Sequence, residues 1–247
     1  RTYLPELDSD TADALYGDAL DAMLRMQTGV DTRGLPDYDR ARFVAELELL
    51  PQWFLTRHLD LAPSCEGWDV IEAAFTFLLH AALEQPRAFV HRDYHSRNLL
   101  IVDHANPGII DIQDAVVGPI TYDLASLLRD CYISWDSERV DGWLEGYRRR
   151  LVDVDLIESA ADRHQFRRWF DLMGLQRHLK VLGIFSRLWY RDGKRAYLDD
   201  LPRVWHYVQS VSARYPELAD FIALLRRAVA SRDLTRAHEE VPSGNDA

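Results

Sequence analysis

His91-Arg92-Asp93-Tyr94-His95-Ser96-Arg97-Asn98, followed thirteen residues later by Asp111 inside Ile109-Ile110-Asp111-Ile112-Gln113-Asp114, organises the reading of this chain. Phe89 to His91 reads as the end of one strand, and Leu99 to Val102 leaves the loop as another. Asn106-Pro107-Gly108 then reverses the chain, because proline presets φ and glycine tolerates the turn. Ile109 to Ile112 returns antiparallel and carries Asp111 back beside Asn98. The loop 91–98 is thereby expected to turn Asp93 and Asn98 toward one point, at the mouth of a metal-binding hairpin over residues 99–115.

Carboxylate and amide oxygens suit a hard divalent cation. Transfer of a γ-phosphoryl group spreads negative charge over oxygens, so positioning and electrostatics supply most of the catalysis. In a phosphoryl-transfer loop of the kinase kind, an aspartate accepts the proton of the attacking hydroxyl. An asparagine five residues on binds magnesium. Asp93 and Asn98 have that spacing, which makes Asp93 the candidate base and Asn98 and Asp111 the candidate Mg2+ ligands. An ordinary polar loop beside a hairpin is the alternative, and an eight-residue match with a correctly placed Asp111 weighs against it.

Three stretches carry a family resemblance: the loop 91–98, Asp111-Ile112-Gln113-Asp114-Ala115, and Gly118-Pro119-Ile120-Thr121-Tyr122-Asp123-Leu124-Ala125. They resemble the aminoglycoside phosphotransferase and choline kinase family of small-molecule kinases. Leu127-Leu128-Arg129-Asp130-Cys131-Tyr132 and the stretch from Met173 to Gly183 look like the bacterial kinases that phosphorylate N-acetylmuramate and N-acetylglucosamine at the anomeric hydroxyl. The resemblance implies ATP and Mg2+ as cofactors, a small sugar as acceptor, and a place in cell-wall sugar recycling. An aminoglycoside, choline or another small alcohol is the alternative acceptor. A non-catalytic binding fragment is the alternative from another class.

The fold expected is mainly α with a small β-hairpin at the catalytic loop, the carboxyl-terminal lobe of a protein-kinase-like architecture. Only two lysines occur, Lys180 and Lys194, and both follow Asp93. No glycine-rich loop or alternating strand pattern precedes it either. Since the family grips nucleotide phosphates with a lysine from a preceding β-rich lobe, that lobe is expected to be absent from the chain. The chain alone is then expected to be inactive. Residues 1–230 read as this lobe and 231–247 as a flexible tail.

Composition supports a folded enzyme domain with a small ligand. The 247 residues are 47% hydrophobic with seven tryptophans, enough for a sizeable core. A net charge of −11 argues against nucleic acid and anionic membrane, which call for a basic face. Cys65 and Cys131 give no disulfide framework and are expected as buried free thiols. No run approaches the ~20 apolar residues of a membrane helix, and the expected location is cytoplasmic.

Helical spacing predicts a first helix capped by Ser9 or Asp10 and ending near Gly29, and a second from about Asp39 that Pro51 breaks or restarts. A third apolar stripe runs from Trp68 to Ala82, and further helices are expected over 121–131, 138–152, 160–187 and 201–230.

Asp123, in the first turn of a helix, is the candidate that ties down the catalytic loop, with simple capping as the other reading. His91 is likewise a loop-fixing candidate, since its two ring nitrogens can bridge backbone groups. On the substrate side, the resemblance points to Arg129, Gln176, Arg177, His178 and Lys180. For the cations, an internal ion pair or a solvated face is the alternative; for His178, a satisfied core position is. Tyr132 and Trp135 read either as a platform for a sugar face or as core aromatics.

Overall fold

The computed structural model describes residues 1–238. The chain divides into two compact units, one of residues 1–39 and 81–174 and one of residues 40–80 and 175–247.

The first unit begins with helix α1, Ala12–Gly29. Its cap position is Thr11 rather than Ser9 or Asp10, with no side-chain cap bond, and the turn before it is closed by Asp8, whose Oδ1 accepts from the Asp10 and Thr11 amides at 2.9 and 2.8 Å. Four strands follow: β1 (Arg87–Val90), β2 (Leu99–Leu100), β3 (Gly108–Ile109) and β4 (Val116–Pro119). The pair β2–β3 is the expected hairpin, shorter than the sequence suggests, because Ile101 bonds to the Arg1 carbonyl instead. The pair β1–β4 is antiparallel with Val90 opposite Val116, and sequence reading did not anticipate β4. Helices α4 (Tyr122–Leu128) and α5 (Ser137–Asp153) complete the unit with the first part of α6, Arg163–Tyr190.

Its core gathers Tyr3, Tyr16, Leu20 and Met23 with Tyr94, Leu124, Leu128, Leu144, Tyr147 and Phe170. Burying a large apolar side chain is worth roughly 1.5–3 kcal/mol, provided its polar tip finds a partner. Tyr94 Oη donates to the Ala19 carbonyl at 2.7 Å and Tyr147 Oη to Gln27 Oε1 at 2.8 Å. Burial pushes both phenols above the ordinary tyrosine range, so they serve as neutral donors. Trp135 Nε1 donates to Tyr16 Oη at 3.0 Å and its ring meets Trp143 edge-on, so Trp135 belongs to this aromatic cluster.

The second unit holds α2 (Arg40–Leu47), a π-helical segment Leu50–His58, most of α3 (Cys65–Leu83), the rest of α6, α7 (Leu201–Ser212) and α8 (Ala219–Val229). Pro51 restarts a helix rather than ending one: at the first turn its missing N–H costs nothing. The single helix expected over 201–230 is two, because Tyr215 before Pro216 is driven to extended backbone, φ −121° and ψ 105°. Gly183 allows a close approach, since a Cβ there would stand 2.4 Å from the Leu49 carbonyl carbon. Cys131 is buried, but Cys65, at the first position of α3, is exposed. Of the expected tail, Leu234 is buried and its carbonyl lies 3.0 Å from His58 Nε2, while 239–247 fall outside the described residues. Among the described residues no helix is long and apolar enough to cross a membrane.

Candidate active site

The hairpin register builds the site. Leu99 pairs with Ile109, and one step nearer the loop the Ile110 amide donates to the Asn98 carbonyl at 3.2 Å. Asn98 and Asp111 therefore sit at the same end of the ladder. Asn98 Nδ2 donates to the Asp93 carbonyl at 3.0 Å, which fixes the amide against the residue that carries the candidate base and leaves Oδ1 as its acceptor end. Asp93 is half-buried and Asp111 exposed. Gln113 Nε2 donates to Asp111 Oδ1 at 2.6 Å.

Two loop residues adopt left-handed backbone, Arg92 with φ 78° and Asp111 with φ 71°. Such conformations cost roughly 1–3 kcal/mol each away from glycine and persist only where the surroundings hold them. Asp123 supplies the hold at Arg92. Its buried carboxylate accepts from the His91 amide at 2.6 Å through Oδ2 and from the Arg92 amide at 3.0 Å through Oδ1.

A second carboxylate grips the other half of the loop, and sequence reasoning missed it. Asp130, 1% exposed, accepts from both the amide and the hydroxyl of Ser96 through Oδ2, at 2.9 and 2.6 Å. Its Oδ1 accepts from the Tyr132 amide at 2.9 Å. Asp123 begins α4 and Asp130 follows its end, so one short helix carries both anchors. Asp130 stood within a stretch already singled out, but nothing in its sequence context separates an anchor from a solvated acid.

His91 is fully buried beside Tyr94. Burial holds its pKa below the ordinary histidine range, against the opposite pull of the Asp93 charge, the Ile110 carbonyl and the Asp111 charge. A neutral ring between the loop and the hairpin suits a spacer better than a proton carrier.

The donor set can be tested against a magnesium ion. Among the described residues no three His, Cys, Asp or Glu side chains cluster closely enough to hold a metal by themselves. One amide oxygen and one carboxylate are what Mg2+ takes from protein when it keeps waters and phosphate oxygens in its remaining positions. Asn98 and Asp111 supply donors of those two types at one end of the hairpin.

The substrate-side candidates lie deeper. In the first unit, Arg129 is buried with its guanidinium 2.5 Å from Asp171 Oδ1, and it also lies over the Phe170 ring. In the second, Glu46 receives Lys180 Nζ at 3.0 Å and Gln176 Nε2 at 3.1 Å. His178 is buried and stacks on Tyr207 with ring centres 4.8 Å apart, and Arg177 is buried too. Tyr132 is half-buried, and the Arg97 guanidinium lies 3.6 Å over its ring.

Comparison with known proteins fits this arrangement. The profile of the phosphotransferase enzyme family matches residues 1–169. An N-acetylmuramate/N-acetylglucosamine kinase of Pseudomonas putida is 43% identical over 225 residues, covering 91% of this chain and 66% of the relative. Its namesakes in Pseudomonas aeruginosa and Neisseria meningitidis are 45% and 40% identical, over 91% and 90% of this chain and again 66% of each relative. The chain thus spans just under two thirds of the length of these relatives. Among solved structures, the gentamicin complex of aminoglycoside phosphotransferase APH(2'')-IIa aligns with a TM-score of 0.53 at 17% identity, covering 83% of this chain and 66% of that one. A Plasmodium vivax ethanolamine kinase aligns at 0.56 and 10% identity, over 84% and 62%. The mostly helical architecture with two small sheets is the protein-kinase-like fold of these enzymes, and the chain belongs to the phosphotransferase enzyme family.

Proposed function

We propose that the protein is an ATP-dependent, Mg2+-assisted cytoplasmic kinase that phosphorylates N-acetylmuramate and N-acetylglucosamine at the anomeric hydroxyl, in cell-wall sugar recycling. The chain is read as its helix-rich, carboxyl-terminal lobe. One observation carries the substrate assignment: identity of 40–45% over nine tenths of the chain with relatives named for those two sugars. The loop geometry supports the chemistry. Asp93 is the base in this reading, and its backbone is held by Asn98 on one side and, through the Asp123 bonds to His91 and Arg92, on the other. An anomeric hydroxyl is more acidic than the other sugar hydroxyls, so the carboxylate need only orient it and accept its proton. Asn98 and Asp111 would hold a magnesium ion, whose role is to neutralise charge on the donor phosphates. Asp123 and Asp130 keep these groups in place, with the His91 ring packed beside Tyr94 as a spacer.

Turnover by the full-length protein tests the proposal, with ATP and Mg2+ and a panel of both amino sugars, an aminoglycoside and choline. Sugar 1-phosphate, identified by 31P NMR coupling to the anomeric proton, is the expected product. Phosphorylation of the aminoglycoside or choline instead, or at another sugar hydroxyl, would overturn it.

A further inference from the structure

The geometry points to Arg97 as the residue that binds the carboxylate of an acidic amino sugar, an inference that rests on the sugar-kinase reading above. N-acetylmuramate differs from N-acetylglucosamine by a lactyl ether ending in a carboxylate, so a protein that takes both meets a charge in one case and none in the other. A buried cation waiting for that carboxylate would be left desolvated and unpaired whenever the neutral sugar was bound, at high cost. The cation has to be exposed at rest. Arg129 and Lys180 do not meet this condition, being buried and paired with Asp171 and Glu46.

Arg97 does meet it. It lies in the catalytic loop between Asp93 and Asn98, its side chain is exposed, and among the described residues it forms no ion pair. Arg139 and Arg148 of the same unit, by contrast, face Asp13 and Glu145. Nor is Arg97 loose. Its guanidinium carbon stands 3.6 Å over the Tyr132 ring, a cation–π contact that leaves the N–H edge free for a two-oxygen acceptor. One buried carboxylate fixes both partners of that contact, since Asp130 holds the Ser96 amide just before Arg97 through Oδ2 and the Tyr132 amide through Oδ1. The two neighbouring side chains part company. Asn98 turns back to Asp93 while Arg97 turns to Tyr132, and Arg97 makes no pair with Asp111 on the metal hairpin.

The test measures kcat/KM of the full-length protein for both sugars and follows the acidic-to-neutral ratio. Arg97→Gln should lower that ratio about 10- to 50-fold, mainly through KM for N-acetylmuramate, because a charge-assisted, two-point contact is lost. Arg97→Lys should restore part of the ratio, since it returns the charge without the fork. Tyr132→Leu should lower it by a smaller factor, the arginine having lost its platform. An equal loss on both sugars would mean that Arg97 serves the phosphoryl group or the loop itself, and would overturn the inference while leaving the kinase reading intact. An unchanged ratio would overturn it as well. A wild-type protein inactive on both sugars would remove the kinase reading and this inference with it.

Discussion

Asp123→Asn isolates the anchor of the catalytic loop from its chemistry. The carboxylate is 1% exposed and offers two acceptors, one to the His91 amide at 2.6 Å and one to the Arg92 amide at 3.0 Å. Asparagine keeps the volume but presents one acceptor and one NH2, so one backbone N–H must face another donor. A hydrogen bond to a charged acceptor contributes about 1.5–3 kcal/mol, and an unsatisfied buried N–H costs about 1–3 kcal/mol; since these overlap, a loss of about 2–4 kcal/mol is expected. Out of a total stability of roughly 5–15 kcal/mol this is large. Once released, Arg92 would relax from its φ of 78°, and Asp93, next in the chain, would move with it. Displacing a reacting group by about 1 Å can cost 10²-fold in rate, so activity should fall together with stability. Urea unfolding of the chain followed by circular dichroism gives the first quantity, and turnover of the full-length protein gives the second. A midpoint shift worth less than about 0.5 kcal/mol, with kcat intact, would refute the anchoring argument.

Other perturbations probe separate parts of the molecule. Asp93→Asn in the full-length protein should lower kcat by roughly 10²–10⁴ with little change in stability or KM, and a near-normal kcat would remove Asp93 from the chemistry. Gly183→Ala would set a methyl 2.4 Å from the Leu49 carbonyl, where backbone must shift, and should cost about 1–3 kcal/mol in urea; an unchanged midpoint would show that the close approach relaxes freely. Burial holds His58 down to about 4 from 6.5, so the folded state favours its neutral form, in which Nε2 donates to the Leu234 carbonyl and Nδ1 accepts from Tyr190 Oη. A histidine depressed in this way contributes stability above pH 6.5 and loses it as pH falls toward 4, by about 3 kcal/mol. Unfolding midpoints for wild type and His58→Gln across that window check the sign, since the variant should show a flatter profile.

The parts of this molecule legible in the sequence are those whose cause is local. The spacing of Asp93, Asn98 and Asp111 needs only a loop and a reversing hairpin, and the apolar periodicity of α1, α3 and α5 is set residue by residue. What stayed hidden depends on partners distant in the chain. Val116–Pro119 is a strand only because Arg87–Val90 lies beside it, and its Gly118-Pro119 end carries little strand signal of its own. The split between α7 and α8 is the exception, a local proline signal at Pro216 that the run of apolar residues on either side obscured. Arg129 and Lys180 show the general difficulty most sharply. A basic residue in a substrate-like stretch looks the same whether it waits for a ligand or has met its carboxylate in the fold, and both had met one, Asp171 and Glu46.

The two anchors suggest why the loop 91–98 can be so polar and still be rigid. Arg92 is strained, and of the eight residues only Tyr94 sets a large apolar side chain in the hydrophobic core. Asp123 and Asp130 add to that hold with buried charge-assisted bonds, to three backbone amides of the chain from His91 to Ser96 and to the Ser96 hydroxyl. Both acids are attached to α4, whose residues 122–128 are all buried. The loop therefore takes much of its rigidity from a helix in the core, and the side chains of Asp93 and Arg97 make none of the bonds that hold it. That division of labour makes a sharp demand on the variants: substitutions at the two anchors should change stability and activity together, whereas substitutions at Asp93 and Arg97 should change activity or selectivity alone.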